Sequence, residues 1–317
     1  GMQMITGGMG FIGLHTAKAF LDAGEDVVIT RYRSNRIPSY LEPELDKRLF
    51  VEPVDLANPL EVIEAARKYK VDGIVHLAAP PFTGWSPAED FRVNMNALIN
   101  VLETGRILEM KRVAIGSSGT IYSGIQEGPF SETMNLPIHS PMGSTPATKK
   151  SYEIMGYLYA DQTGLDVVFL RFNGVWGAGY QSMVNLPSRM VHAAHQGVPG
   201  PLTGRRPDPK EGDEVPSAYV KDCARAAQIL QMAPKLEHRS YNIAGGVRQT
   251  AGDFADALRA ASDGAEITLE PGVTEGARTN AYLDISRIRD EFGFKPAFSV
   301  EEGVADYFDW LRAGNDK

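Results

Sequence analysis

The octapeptide Thr6-Gly7-Gly8-Met9-Gly10-Phe11-Ile12-Gly13 constrains this chain more than any other feature. It follows a short apolar run at residues 3–6 and opens an amphipathic stretch over residues 11–23. Glycines between a strand and a helix permit a tight turn, close helix–strand packing and approach of backbone N–H groups to a pyrophosphate. The helix N-terminus adds unpaired N–H groups and the positive end of its dipole. The run satisfies GxGxxG from Gly8 and GxxGxxG from Gly7, in the strand–turn–helix context that a dinucleotide turn requires. We therefore expect Gly7, Gly10, Phe11, Ile12 and Gly13 to hold a dinucleotide.

The rest of the first half keeps the same rhythm. Apolar, β-branched runs at 26–31, 49–54, 73–77, 112–116 and 167–172 read as strands. Helical spacing covers 60–69, 87–110 and 147–163 between them. Strands alternating with helices of ten or more residues predict an α/β fold with a doubly wound parallel sheet. After Gly177 the rhythm breaks. Residues 197–216 hold five prolines and several charges, which predicts a loop or lid. A helix at 221–231, a strand at 240–243 and two further helices are expected after it, forming a smaller mixed C-terminal lobe. The expected division is 2–176 with 215–245 for the dinucleotide lobe, and 177–214 with 246–317 for the substrate lobe.

Composition narrows the setting. At 317 residues the chain suits one large domain or two lobes, and 43% apolar with 23% charged residues excludes a disordered or collagen-like chain. A net charge of −8 argues against nucleic-acid or anionic-membrane partners. The single cysteine, Cys223, allows neither an internal disulfide nor a thiolate metal cluster, so a reducing cytoplasm is expected and no metal. No apolar run approaches the roughly 18 residues of a membrane span. The N-terminus carries no basic-then-apolar leader, and Gly1 before Met2 reads as an expression scar.

The second strand bears on which dinucleotide binds. An NAD site places Asp or Glu about 20 residues past the glycines, to accept from the ribose 2′-OH. Here the strand end reads Thr30-Arg31-Tyr32-Arg33-Ser34-Asn35-Arg36. It has no carboxylate, and its arginines can pair with a 2′-phosphate through charge-assisted bonds. NADP is therefore expected over NAD, held by Arg31 with help from Ser34 and Arg36. The competing reading is a solvated basic loop.

Further segments in the same order resemble the extended short-chain dehydrogenase/reductase family of NAD(P)-dependent epimerases and dehydratases. They are Val54-Asp55-Leu56, His76-Leu77-Ala78-Ala79, Val93-Asn94, Ser117-Ser118-Gly119-Thr120-Ile121-Tyr122, the LRFNGVWG run at 170–177, Tyr219-Val220-Lys221-Asp222 and Tyr241-Asn242-Ile243-Ala244-Gly245. The stretches 284–294 and 300–310 complete a likeness that spans nearly the whole chain. The resemblance implies a Rossmann-type cofactor lobe and a C-terminal lobe for a sugar or nucleotide-sugar. It also implies adenine contacts from Asp55 and Leu56, and nicotinamide contacts from Leu77, Ala78 and Ala79. Such enzymes use a Ser/Thr–Tyr–Lys set. Tyr is the acid/base, Lys holds the nicotinamide ribose and lowers the phenol pKa, and Ser/Thr binds the substrate oxygen.

One departure stands out. Counting back from Leu170 through Gly164 and Glu153 places Lys149 at the family's lysine, with Thr145 where Tyr-x-x-x-Lys has its tyrosine. Matching Ser140-Pro141-Met142-Gly143 to a serine-proline-tyrosine-glycine segment puts Met142 there instead. Neither alignment keeps the phenol, whereas Ser118 is retained four residues before Tyr122. Three readings stay open. The proton is carried by Thr145 through a water or by a phenol from elsewhere (Tyr122, Tyr152 or Tyr219), Tyr152 being poorly placed three residues past Lys149. Alternatively Glu132 serves as a carboxylate base. In the third reading hydride transfer is lost, leaving a dinucleotide sensor or scaffold. Losing one acid/base group costs about 10²–10⁴-fold, which does not exclude an enzyme.

The remaining candidates read more plainly. His192 and His195 share helical spacing without further metal ligands, which suits a surface or substrate-lobe role. His76 reads as a core histidine and Cys223 as a small packed residue. Arg205-Arg206 reads equally as an anion clamp or as solvated lid charge. Tyr157, Leu158 and Tyr159, with the long helix at 87–110, read as core and subunit surface, and the resemblance implies a homodimer through such helices.

Overall fold

The structure is a computed structural model, and it describes residues 1–78, 86–140 and 143–317. In chain order the first half runs β1 (Met2–Thr6), α1 (Phe11–Asp22), β2 (Asp26–Arg31), β3 (Leu49–Pro53), α2 (Pro59–Lys68) and β4 (Gly73–His76). It continues with α3 (Pro87–Ile107), β5 (Arg112–Ser118), α4 (Ser144–Thr163) and β6 (Val167–Phe172). Then follow β7 (Val175–Trp176), α5 (Leu186–Gln196), β8 (Ala218–Tyr219), α6 (Val220–Met232), β9 (Ser240–Ile243), α7 (Ala251–Ala261), α8 (Ser286–Phe292) and α9 (Val300–Arg312).

Seven strands form one sheet in the order β3-β2-β1-β4-β5-β6-β9, the doubly wound parallel sheet that the alternation predicts. β4 and β6 are buried at every position, as are all but the first residue of β1. Burial on both faces explains why these strands read as unbroken apolar runs rather than alternating ones. Val28, Ile74, Leu98, Val113, Tyr152 and Phe169 belong to the core that joins helices to this sheet.

The chain divides into two compact units. One comprises Gly1–Gly124, Leu136–Arg171 and Ala224–Tyr241; the other comprises Ile125–Asn135, Phe172–Cys223 and Asn242–Lys317. Residues 125–135 thus join the second unit, and 224–241 the first. Within the second unit Trp176 is enclosed by Tyr219 and Phe254, with ring centroids 4.9 and 5.3 Å away. The Asp222 carboxylate accepts from the Ala297 and Phe298 N–H groups at 2.7 and 3.1 Å, tying the start of α6 to the chain that enters α9. The segment 197–217 has no helix, as its prolines predict, and Arg189 of α5 pins it by donating to Leu202 O and Asp208 Oδ1.

Three expectations need adjustment. α4 starts at Ser144 rather than 147, because Pro146 falls in the first turn, where a missing N–H costs nothing. α3 stops at Ile107, short of 110, where Glu109 turns to a positive φ of 50°. Three helices rather than two follow β9; α8 has only seven residues, too few to show a period, and Gly293 ends it in the left-handed conformation.

Candidate active site

Strand order reverses direction between β1 and β4, and open α/β sheets bind ligands outside the carboxyl ends of the strands at such a switch point. The glycine turn lies there, directly after β1. Gly7 has φ +64°, and a Cβ on it would fall 2.6 Å from the Ala78 backbone. A Cβ on Gly13 would sit 2.5 Å from Gly7 O, so both positions demand glycine. Gly10 is the N-cap of α1; no side chain caps the helix, and its first turn holds no acidic residue. The turn that carries Phe11, Ile12 and Gly13 is therefore electrostatically open to an anion, and the cradle fits a dinucleotide pyrophosphate.

At the outer side of the same unit β2 ends on Arg31, whose carbonyl accepts from Val54 N at 3.0 Å. Arg33, Ser34 and Arg36 follow on an exposed loop, with Arg33 stacked 5.2 Å above the Tyr32 ring. Among the described residues Arg31, Arg33 and Arg36 form no ion pair. Asp55 is exposed just past β3 and accepts from Ala57 N, while Leu56 O accepts from Asn100.

The β1–β4 register sets Thr6 opposite His76. Their side chains meet at 2.7 Å (Thr6 Oγ1 to His76 Nδ1), and Thr6 Oγ1 also accepts from Leu77 N at 3.2 Å. Leu77 and Ala78 are thereby fixed against the glycine turn; Ala79 lies outside the described residues. His76 is a core histidine, as expected, but among the described residues it is bonded on one nitrogen only, its buried Nε2 having no partner there. Burial, aided by the charge of Lys149, pulls its pKa down to about 3. The folded form therefore holds His76 neutral where the unfolded chain would protonate it. Stability conferred by this group is complete above about pH 6.5 and drains away as pH falls toward about 3, at about 1.4 kcal/mol per pH unit. Denaturant titrations of wild type and His76→Gln between these limits should show a flatter pH dependence in the variant. Parallel curves would remove His76 from the acid response.

The end of β5 carries the hydroxyl set. Ser118 Oγ accepts from Thr120 N at 3.1 Å and from Thr120 Oγ1 at 2.9 Å. Both acceptor positions are filled, so the Ser118 proton is left to donate to an incoming oxygen. Lys149 on α4 donates to Gly116 O at 2.8 Å and lies 4.8 Å over the Tyr152 ring. No carboxylate pairs with it among the described residues. The residue keeps some solvent access, yet its ammonium is set deep enough that burial lowers its pKa to about 8.

One helical turn further on, Glu153 holds α4 to the sheet. Its carboxylate accepts from Arg171 Nε and Nη2 at 3.0 and 2.7 Å and from Ser117 Oγ at 2.7 Å. Arg171 also donates to Tyr122 OH at 2.8 Å. Every member of this web is buried, Ser117, Glu153 and Arg171 to within 5% exposure.

The alternative proton carriers fare unequally. Thr145 sits partly exposed in the first turn of α4, and Met142 lies outside the described residues. Tyr122 is occupied by Arg171, and Tyr152 is buried with its hydroxyl on Asn94 Oδ1 and its pKa pushed up by burial. Tyr219 donates to Asp306, with burial and that carboxylate driving its pKa well up. Glu132 lies in the second unit, where it accepts from Asn242 N. His192 and His195 do not face one way, because His192 is buried on Tyr307 OH and His195 is exposed. Arg205 and Arg206 are exposed on the proline-rich segment, and Cys223 is buried. Thr6, Thr120 and Arg171 escaped the sequence reading, since their parts depend on cross-strand register and on a tight turn.

Residues 3–244 match the model of a family described as NAD dependent epimerase/dehydratase. A probable UDP-glucuronate 4-epimerase of Rhizobium meliloti is 26% identical over 334 residues, covering 97% of this chain and 96% of that protein. The crystal structure of UDP-glucose 4-epimerase from Thermotoga maritima with UDP-glucose superposes with TM-score 0.81 at 21% identity, covering 99% of both chains. That of Thermus thermophilus UDP-glucose 4-epimerase in complex with NAD gives 0.78 at 24% identity, covering 99% of this chain and all of that one. At these identities the structural matches speak to the fold.

Proposed function

The chain belongs to the NAD dependent epimerase/dehydratase family and is an enzyme of it, and from that membership we propose that it oxidises a sugar hydroxyl reversibly, on a nucleotide-sugar or sugar acid. The observation that carries the reading is the uncapped α1 cradle at the switch point, in the same compact unit as Ser118 and Lys149. Phe11, Ile12 and Gly13 would hold the pyrophosphate, Asp55 and Leu56 the adenosine side, and Leu77 and Ala78 the nicotinamide half. Arg31, Ser34 and Arg36 would take a 2′-phosphate, which favours NADP over NAD. Bound NAD(P) supplies the acceptor for the hydride. Ser118 donates to the substrate oxygen and Lys149 holds the nicotinamide ribose.

The second unit is assigned to substrate recognition, with Arg205 and Arg206 available for a phosphate or carboxylate. Relatives named for UDP-glucuronate and UDP-glucose make these two compounds the first to test. Phe91, Ile154 and Leu158 are 55, 71 and 51% exposed on α3 and α4, an apolar surface suited to a second copy of the chain. Tyr159 is not part of it, being bonded to Glu103.

Incubating the protein with NAD or NADP and each sugar, and following nicotinamide absorbance and the sugar epimers by NMR, tests the assignment. Turnover is expected, with Ser118→Ala lowering kcat by about 10²–10³-fold through loss of one oriented donor. Tight dinucleotide binding with no turnover across a broad sugar panel would replace the enzyme by a dinucleotide sensor.

A further inference from the structure

Resting on that reading, we propose that Lys149 is itself the proton carrier, its amine taking the proton of the substrate hydroxyl and its ammonium returning it. The position four residues before it holds Thr145, and an aliphatic hydroxyl is not among the side chains that serve as general bases. Ser118 cannot accept the proton, because Thr120 fills both of its acceptor positions. The buried phenols of Tyr122 and Tyr152 are bonded to Arg171 and Asn94. Lys149 is what remains at the end of β5 with a proton to exchange.

The surroundings suit that role. From β5 the ammonium donates to the neutral carbonyl of Gly116. From β4 the nearest titratable group is His76, which burial keeps neutral. From α4 itself it meets the face of Tyr152. From α3 the Asp90 carboxylate accepts from Asn94, which accepts from the Tyr152 hydroxyl, and its charge helps to raise the Tyr152 pKa. With no acid among the described residues to hold the charge, burial brings the amine within reach near neutral pH, where an ordinary lysine stays protonated. A neutral amine offers two N–H groups and one lone pair. One N–H stays on Gly116 O, the second remains for a ribose hydroxyl, and the lone pair faces the reaction.

The step balances. The substrate C–H bond breaks with its electron pair passing to oxidised NAD(P), and the O–H bond breaks with its proton passing to the Lys149 lone pair. A C=O bond forms, the carbinol is oxidised, the nicotinamide is reduced, and Lys149 ends as ammonium. In the return direction it gives the proton back. The oxidation step should therefore rise with pH through about 8, and the return step should fall through the same range.

Trace acetylation of the cofactor-free protein with acetic anhydride, read residue by residue by mass spectrometry from about pH 6 to about 11, measures this directly. Lys149 should label with a midpoint near 8, against about 10.4 for exposed lysines. Lys149→Arg keeps the cation but cannot give up its proton. It should still bind dinucleotide through the glycine cradle, with the ribose contact changed, while losing about 10²–10⁴-fold in turnover of whichever UDP-sugar proves active. Methylamine should partly restore Lys149→Ala. A labelling midpoint shared with the exposed lysines overturns the proposal, as does an arginine variant that turns over within a small factor of wild type. Failure of wild type to bind any dinucleotide overturns the functional reading instead, and the labelling curve still decides Lys149.

Discussion

Replacing Glu153 with alanine is expected to destabilise the chain by about 3–5 kcal/mol, the largest effect of any single truncation near the candidate site. The carboxylate is 5% exposed and satisfies two guanidinium nitrogens of Arg171 and the Ser117 hydroxyl. Removing it leaves Arg171 charged, buried and, among the described residues, supported only by Tyr122. The cost lies in that orphaned charge rather than in the net worth of the pair. Glu153→Gln keeps the shape and leaves the same charge uncompensated, so it should also fall well below wild type. The double variant Glu153→Leu with Arg171→Met removes both charges and should recover most of the loss. Denaturant titration of the four proteins checks the cycle. Glu153 stands four residues from Lys149, on the same face of α4, so Glu153→Ala should also loosen the Lys149–Gly116 contact and raise the labelling midpoint of Lys149. An alanine variant as stable as wild type would mean that Arg171 finds another partner and that this web does not set the register of α4.

The parts that the sequence made legible are those written in local periodicity. The buried strands β1, β4 and β6 carry apolar runs bounded by turn residues, and the turn after β1 demands glycine at Gly7 and Gly13 for steric reasons that the motif already encodes. Lys149 and Ser118 stand out in the sequence through the resemblance to the family's motifs. What those residues do was not legible, because it depends on partners far away in sequence. That Ser118 is confined to donating follows from a tight turn that brings Thr120 back onto it. That Lys149 lacks a counter-charge among the described residues follows from its lying against β5 and a neutral His76. β7 and β8 have two residues each and no period to read, and the seven residues of α8 span less than two full helical turns. His192 and His195 share helical spacing yet part company, since a helix half-sunk in its unit buries one position and exposes another three residues on.

Arg31→Asp is expected to weaken NADPH binding by about 10–150-fold while NADH binding holds or improves. The estimate follows from losing one hydrogen bond between charged partners, about 1.5–3 kcal/mol. Arg31 ends β2 at a place fixed by the bond from Val54 N to its carbonyl, and a Rossmann site reads the adenosine ribose at that strand end. A carboxylate there accepts from a 2′-hydroxyl and repels a 2′-phosphate. The flanking cations cannot fully substitute. Arg33 is stacked on Tyr32, and Arg36 lies beside Tyr40, whose pKa it opposes burial in raising. Fluorescence titration of both proteins with both reduced dinucleotides provides the measurement, repeated at higher salt. The expected NADPH preference of wild type should shrink as salt screens the phosphate contact. Wild type that binds NADH as tightly as NADPH would return the three arginines to solvent and make NAD the working cofactor, with the glycine cradle and Lys149 unaffected.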